Sequence, residues 1–174
     1  MIYYIADTHF GDERVMCLAH RPFKTVEEMN EIMINNWNRK VKQNDHVYIV
    51  GDVAFSDFDA QSVLCRLNGA KHLIVGNHDS GLSQKVLDMF DSISMIKKIE
   101  DNGKSVVLCH YPLLSYENSI YGGYQVFGHI HNNPNDLAYT LQNQLPNSLH
   151  AGVDVNCFEP KTLDELIEIK ESNR

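Results

Sequence analysis

The chain has 174 residues, 43% hydrophobic and 22% charged, with ten Gly and five Pro, a composition that excludes disordered, collagenous and fibrous classes. A chain of about this length buries roughly 68–70% of its unfolded surface, so a sizeable core forms without disulfide or metal staples. The formal charge of −8, from 23 acids against 15 Lys and Arg, argues against a broad electrostatic grip on nucleic acid or an anionic membrane, though not against binding a small nucleotide.

In chain order, Ile2 to Ile5 reads as a buried strand ending at Asp7. Thr25-Val26-Glu27-Glu28 is a capping box, in which the hydroxyl and the Glu28 carboxylate satisfy free amides reciprocally. It opens a long helix whose Val26, Met29, Met33, Trp37 and Val41 share one face. Val47 to Val50 is a strand ending at Gly51-Asp52, and Ala60, Val63, Leu64 and Leu67 form a helical stripe stopped by Gly69. His72 to Val75 is a strand leading to Gly76-Asn77-His78-Asp79, and Leu82, Val86 and Phe90 suggest a third helix. Ile93 to Ile99, the Asp101-Asn102-Gly103 turn and Ser105 to Cys109 are expected as a β-hairpin. Tyr124 to Phe127 is another strand, and the polar stretch from Asn132 to Ser148 reads as a surface excursion with room for a short strand pair. Leu149 to Val155 returns to strand, and Pro160 followed by the capping box Thr162-Leu163-Asp164-Glu165 starts a last helix. Alternating strands and helices without repeat or linker predict one α/β domain over 1–174.

The four cysteines, Cys17, Cys65, Cys109 and Cys157, form no C-x-x-C pair, which excludes a thiolate metal knuckle and a small secreted disulfide frame. The first residues carry no basic leader and no stretch approaches the ~20 apolar residues of a membrane span, so a reducing cytoplasm is expected. No G-x-S-x-G elbow or P-loop occurs, which removes serine hydrolase and P-loop readings.

Five acid or histidine clusters follow predicted strands: Asp7-Thr8-His9, Gly51-Asp52, Gly76-Asn77-His78-Asp79, His110 and Gly128-His129-Ile130-His131. Strand ends are where α/β folds collect ligand-binding groups. The i, i+2 spacing of Asp7/His9 and His129/His131 puts both members of a pair on one side of extended backbone. Each cluster alone fits a turn-former or a structural histidine; five in this order are not coincidental caps. His20, His46, His72 and His150 lie outside the clusters and are taken as structural.

Together the clusters resemble the ordered motifs D-x-H, G-D, G-N-H-[DE], H and G-H-x-H of the calcineurin-like metallophosphoesterase superfamily. The resemblance implies a two-layer β sandwich flanked by helices, without a cap domain, and a dinuclear metal centre at one sheet edge. By that pattern Asp7, His9 and His131 would hold one metal and Asn77, His110 and His129 the other, with Asp52 bridging. His78 would act on the substrate, oriented by Asp79. Mixed imidazole and oxygen ligands suit two divalent transition-metal ions, Mn first, with Zn, Fe, Ni or Co as alternatives. The water between them would be the nucleophile.

Arg21, in the segment His20-Arg21-Pro22-Phe23, is a candidate phosphate clamp, with a surface Arg flanking the helix as the other reading. Asp12 stands where a small bacterial and phage branch of the superfamily carries a second His, and it joins the candidate substrate contacts. Tyr111 either stacks on a substrate ring or packs with its hydroxyl at the surface. The expected activity is metal-dependent hydrolysis of a phosphodiester or phosphomonoester of a small molecule or nucleotide, with no stable nucleic-acid complex and no membrane. The alternative is a catalytically silent protein-binding scaffold of the same fold, as the superfamily's retromer scaffold subunit is.

Overall fold

A computed structural model describes residues 1–172. Strands β1 (Ile2–Ile5), β2 (His46–Ile49), β3 (Ala70–Ile74) and β4 (Ser92–Ser94) form one sheet in that order, with every neighbour parallel. Strands β5 (Ile96–Asp101), β6 (Lys104–Cys109), β7 (Tyr124–Phe127) and β8 (Ser148–His150) form the second, antiparallel at β5/β6 and parallel after it. The α/β sandwich of two sheets flanked by helices that the motifs implied is thus present.

Period-two alternation assigns each face of the first sheet to a different core. Tyr3, Ile5, Val47, Ile49 and Leu73 bury against α2 (Val26–Lys40), α3 (Asp57–Leu64) and α4 (Gln84–Leu87) through Met29, Met33, Trp37, Val63, Leu64 and Val86. Their alternates Tyr4, Ala6, Tyr48, Val50 and Ile74 meet Val106, Leu108, Val126 and Leu149 of the second sheet. Trp37 is fully buried and its indole N–H donates to the Asn68 carbonyl at 2.9 Å, so its apolar mass is buried with no unmet polar group. Helix α5 (Leu137–Gln144) lies against β7, where its Gln142 meets Gln125 on the face opposite the Val126 core, while α6 (Leu163–Ser172) packs on β8 and β1.

Several expectations change in detail. The run from Ile93 to Ile99 is not one strand. It breaks at Met95, so that β4 closes the first sheet and β5 begins the hairpin of the second. The excursion from Asn132 to Ser148 contains the helix α5, capped by Asp136, and no strand pair. Its Gln142 is drawn inward by hydrogen bonds to the buried amide of Gln125 and the hydroxyl of Ser148. After β8 the chain makes a short 3-10 turn at Val153–Val155 instead of continuing as strand. In the first capping box Thr25 accepts from the Glu28 N–H as expected, but the Glu28 carboxylate takes the Lys24 N–H rather than that of Thr25. The second box, Thr162 with Glu165, closes reciprocally. A further helix, α1 (Glu13–Leu18), was not anticipated; Asp12 caps it.

Candidate metal centre

Because β1, β2 and β3 are mutually parallel, the loops after them leave the same edge of the first sheet. The same holds for β6, β7 and β8 in the second sheet. Asp7, His9, Asp52, Asn77 and His78 come from the first set, and His110, His129 and His131 from the second. All seven residues expected as metal ligands meet at this edge.

The local backbone is unusual. Asp7, His9, Asp52, His129 and His131 all hold φ between 47° and 73°, a left-handed region that non-glycine residues seldom adopt and that clusters at functional sites. Close approach explains two of the glycines. A Cβ on Gly51 would stand 2.2 Å from His110 Nδ1, and one on Gly76 would stand 2.3 Å from Asp52 Oδ1. Neither position admits a side chain while the loops keep this distance.

Asp52 lies at the centre. Its Oδ1 accepts the His78 backbone N–H at 2.9 Å, while Oδ2 stands 3.5 Å from both His9 Nε2 and His110 Nε2. His110 Nδ1 sits 2.9 Å from the Val50 carbonyl, which can only accept, so that nitrogen carries the proton. In the neutral ring Nε2 is then bare, and it faces Asp52 Oδ2 and, at 2.9 Å, Asn77 Oδ1. Acceptor is set against acceptor, an arrangement that a cation resolves. His129 Nδ1 reaches the same Asn77 oxygen at 2.9 Å. On the other side, Asp7, His9 and His131 bring donor atoms within 4.8 Å of one another, as do Asp7, Asp52 and His110. His9 Nε2 is buried with no hydrogen-bond partner. A buried imidazole nitrogen left in this way is costly unless something binds it. The donor set fits transition-metal ions.

The electrostatics agree. Burial pushes the Asp7 carboxyl up to about 6 despite the pull of His131, His110 and the His129 N–H. Burial also lowers His9, against the attraction of Asp52, and lowers His129. Carboxylates and neutral imidazoles crowded in a dry site return to their ligating forms when a cation enters.

The remaining candidates separate. His78 is exposed at the rim, its ring 5.2 Å from that of His9. Asp79 does not orient it. The Asp79 carboxylate accepts the backbone N–H groups of Asp52 at 2.8 Å, Val53 at 2.9 Å and Gly76 at 2.8 Å, and so clamps the two ligand loops together. Arg21 is neither a phosphate clamp nor a surface residue. Its guanidinium is fully buried, donating to Asp154 Oδ1 at 2.8 Å, the Thr8 carbonyl at 2.9 Å and the Asp7 carbonyl at 2.6 Å. Asp12 spends its carboxylate on the cap of α1 and on Arg14, and its Oδ2 is 3.9 Å from His9 Nδ1. Tyr111 is exposed and sets its ring edge-on to His110 and His129, with centroids 5.2 and 4.7 Å away. His46 and His72 pair at 3.0 Å on the first sheet, and His150 is half-buried, its Nε2 buried without a hydrogen-bond partner.

Asp154 was missed. Its Oδ2 lies 2.7 Å from His131 Nδ1, and it follows β8 as the ligands follow the other strands. An acid between Val153 and Val155 is the signal that could have found it, because a charge set in an apolar stretch calls for a partner.

Beside the histidines opens a groove of about 680 Å³, walled by Val15, Leu18 and Ala19 of α1 and its end and by the loop from Asn132 to Asp136. Among the described residues no helix is long and apolar enough to cross a membrane, and the cysteines are free, with only Cys109 buried.

No protein-family model matches the chain. The uncharacterized protein MJ1445 of Methanocaldococcus jannaschii is 35% identical over 176 residues, spanning 99% of this chain and 93% of that protein, and the chain belongs to its family. The crystal structure of AQ665, a protein of unknown function from Aquifex aeolicus, aligns with a TM-score of 0.78 at 25% identity, covering 97% of this chain and 98% of that one. The fold is shared with it. Pseudomonas putida nuclease MPE aligns at a TM-score of 0.47 with 18% identity over 75% of this chain and 61% of that one, too distant to carry an argument.

Proposed function

We propose that this member of the MJ1445 family is a dinuclear-metal-dependent hydrolase of phosphoester bonds in a small molecule or nucleotide. The observation that carries the reading is Asp52 Oδ2, held 3.5 Å from an imidazole nitrogen on each side, His9 Nε2 without any hydrogen-bond partner and His110 Nε2 shared with Asn77 Oδ1. A shared carboxylate is what two neighbouring cations need, since they repel strongly without an anion between them. Asp7, His9 and His131 would hold one ion, Asn77, His110 and His129 the other, and Asp52 both. Manganese is the first candidate, ahead of Zn, Fe, Ni or Co. When bound, such a pair supplies Lewis acidity, taking up charge on the phosphoryl oxygens and lowering the pKa of water.

The chain's own residues do the rest. His78, exposed beside His9, is placed to donate a proton to the leaving oxygen. Asp79 holds the Asp52 and Gly76 loops in register, so that His78 and the bridging carboxylate keep their spacing. The groove beside the histidines receives the remainder of the substrate between α1 and the loop from Asn132 to Asp136. Its breadth suits an exposed phosphoester more than one that must be enclosed.

The test is hydrolysis of p-nitrophenyl phosphate and its bis-ester by protein loaded with Mn²⁺, beside Asp52→Asn and His78→Ala. Turnover by the wild type with loss in both variants supports the reading. Equal inactivity of all three across a broad phosphoester panel overturns it and leaves the scaffold alternative.

A further inference from the structure

We infer that Arg21 and Asp154 are a buried pair of positioning residues that sets the tautomer of His131 and fixes the Asp7–His9 loop against it. The inference rests on the metal reading above and deepens it.

Both carboxylate oxygens of Asp154 are engaged. Oδ1 takes the Arg21 Nε–H at 2.8 Å, and Oδ2 faces His131 Nδ1 at 2.7 Å while also accepting from Arg21 Nη2 at 3.4 Å. An aspartate carboxylate in contact with a guanidinium is an acceptor on both oxygens, so His131 Nδ1 carries the proton. His131 Nε2 is then left bare toward Asp7 and His9, the group with which it converges. Outer-shell carboxylates act in this way in metal sites, fixing ring orientation and ligand basicity.

Arg21 extends the same unit to the other ligands. Its remaining donors hold the Asp7 carbonyl at 2.6 Å and the Thr8 carbonyl at 2.9 Å, beside a residue whose φ is 56°. A left-handed conformation at Asp7 persists only when its surroundings over-determine it, and a guanidinium forked across two successive carbonyls does so. The pair joins residues 133 positions apart, and its side chains are 0% and 1% exposed. Removing two charges from water is expensive. What they secure here is the relative position of ligands carried by two different sheets.

Two measurements test this. In metal-free wild-type protein labelled with ¹⁵N-histidine, at a pH high enough to hold His131 neutral, long-range proton–nitrogen correlation should show Nδ1 protonated and Nε2 bare. The opposite tautomer overturns the inference, and this measurement needs no variant to fold. In Asp154→Asn, an amide can still accept from Arg21, but it turns its NH₂ toward His131 and selects the other tautomer. Calorimetric titration with Mn²⁺ should then show one of two ions weakened by about 10–100-fold, with the second unchanged. Two ions bound by Asp154→Asn as tightly as by wild type overturn the inference and leave the metal reading standing. A wild type that binds no divalent ion overturns both.

Discussion

The two sides of the candidate centre hold their ligands by different means. Around Asp7, His9 and His131 the support is charge: the Arg21–Asp154 pair is dry, and Asp7 and His9 are almost fully buried. Around Asn77, His110 and His129 the support is backbone. His110 is buried and leans on the Val50 carbonyl, but Asn77 is exposed, His129 is half-buried, and among their described contacts no guanidinium braces them. The groove is lined by His9 and His131 of the first set and by His129 of the second, so both sides border it. What separates them is the burial of Asp7 and His9 against the exposure of Asn77, so on the proposed reading an ion on the first side would be the more tightly held.

The severest test of that contrast removes what the sides share. Asp52→Asn should abolish retention of both ions and reduce turnover by more than the ~10–100-fold that loss of an outer-shell partner costs; metal analysis of the purified variant beside bis-ester hydrolysis checks it. His78→Ala should lower kcat by about 10²–10⁴-fold, the usual contribution of one acid or base, with metal content unchanged. A variant that lost metal instead would make His78 a ligand.

Chelation sharpens the asymmetry directly. Timed exposure of the Mn²⁺ protein to EDTA should release the ions in two phases, and Asn77→Ala should lack the fast phase while His9→Ala lacks the slow one. The reverse assignment would mean that burial does not govern exchange here. The smallest effect concerns the metal-free fold. Arg21→Met leaves Asp154 buried without its guanidinium and should cost about 3–5 kcal/mol in a denaturant melt. Breaking the exposed Arg66–Glu31 pair by Arg66→Ala should leave the melt unmoved.

Much of the centre was legible because its residues obey a local rule. Each sits just past an apolar run, and acid–x–His pairs and glycines mark the turns. What escaped has long-range causes. Arg21 reads locally as a residue flanking a helix, and only contact with Asp154, 133 positions away, makes it a brace. Asp154 was hidden by reading Leu149 to Val155 as one strand, when β8 stops at His150. Asp79 follows His78 in the chain, and the family pattern implied that it orients that histidine. The three N–H groups that claim its carboxylate belong to loops brought together by the fold. Helix α5 was obscured by the asparagines and prolines around it, although Asp136 caps it and Pro134 and Pro146 both fall outside its ends. Met95 marks a change of sheet, which no hydrophobic pattern reports.

That change at Met95 has a mechanical consequence. The chain crosses once from one sheet to the other, and every later ligand stands across the seam from every earlier one. A cation bound at this edge would therefore be a rivet between two plates whose shared interior is apolar, added to the few polar ties there, such as the Ala6 N–H to the Ala151 carbonyl at 2.8 Å. Loading the centre should stiffen the whole edge, slowing amide exchange in the final turns of β1, β2, β6 and β7 together while the far ends of the same strands keep their metal-free rates.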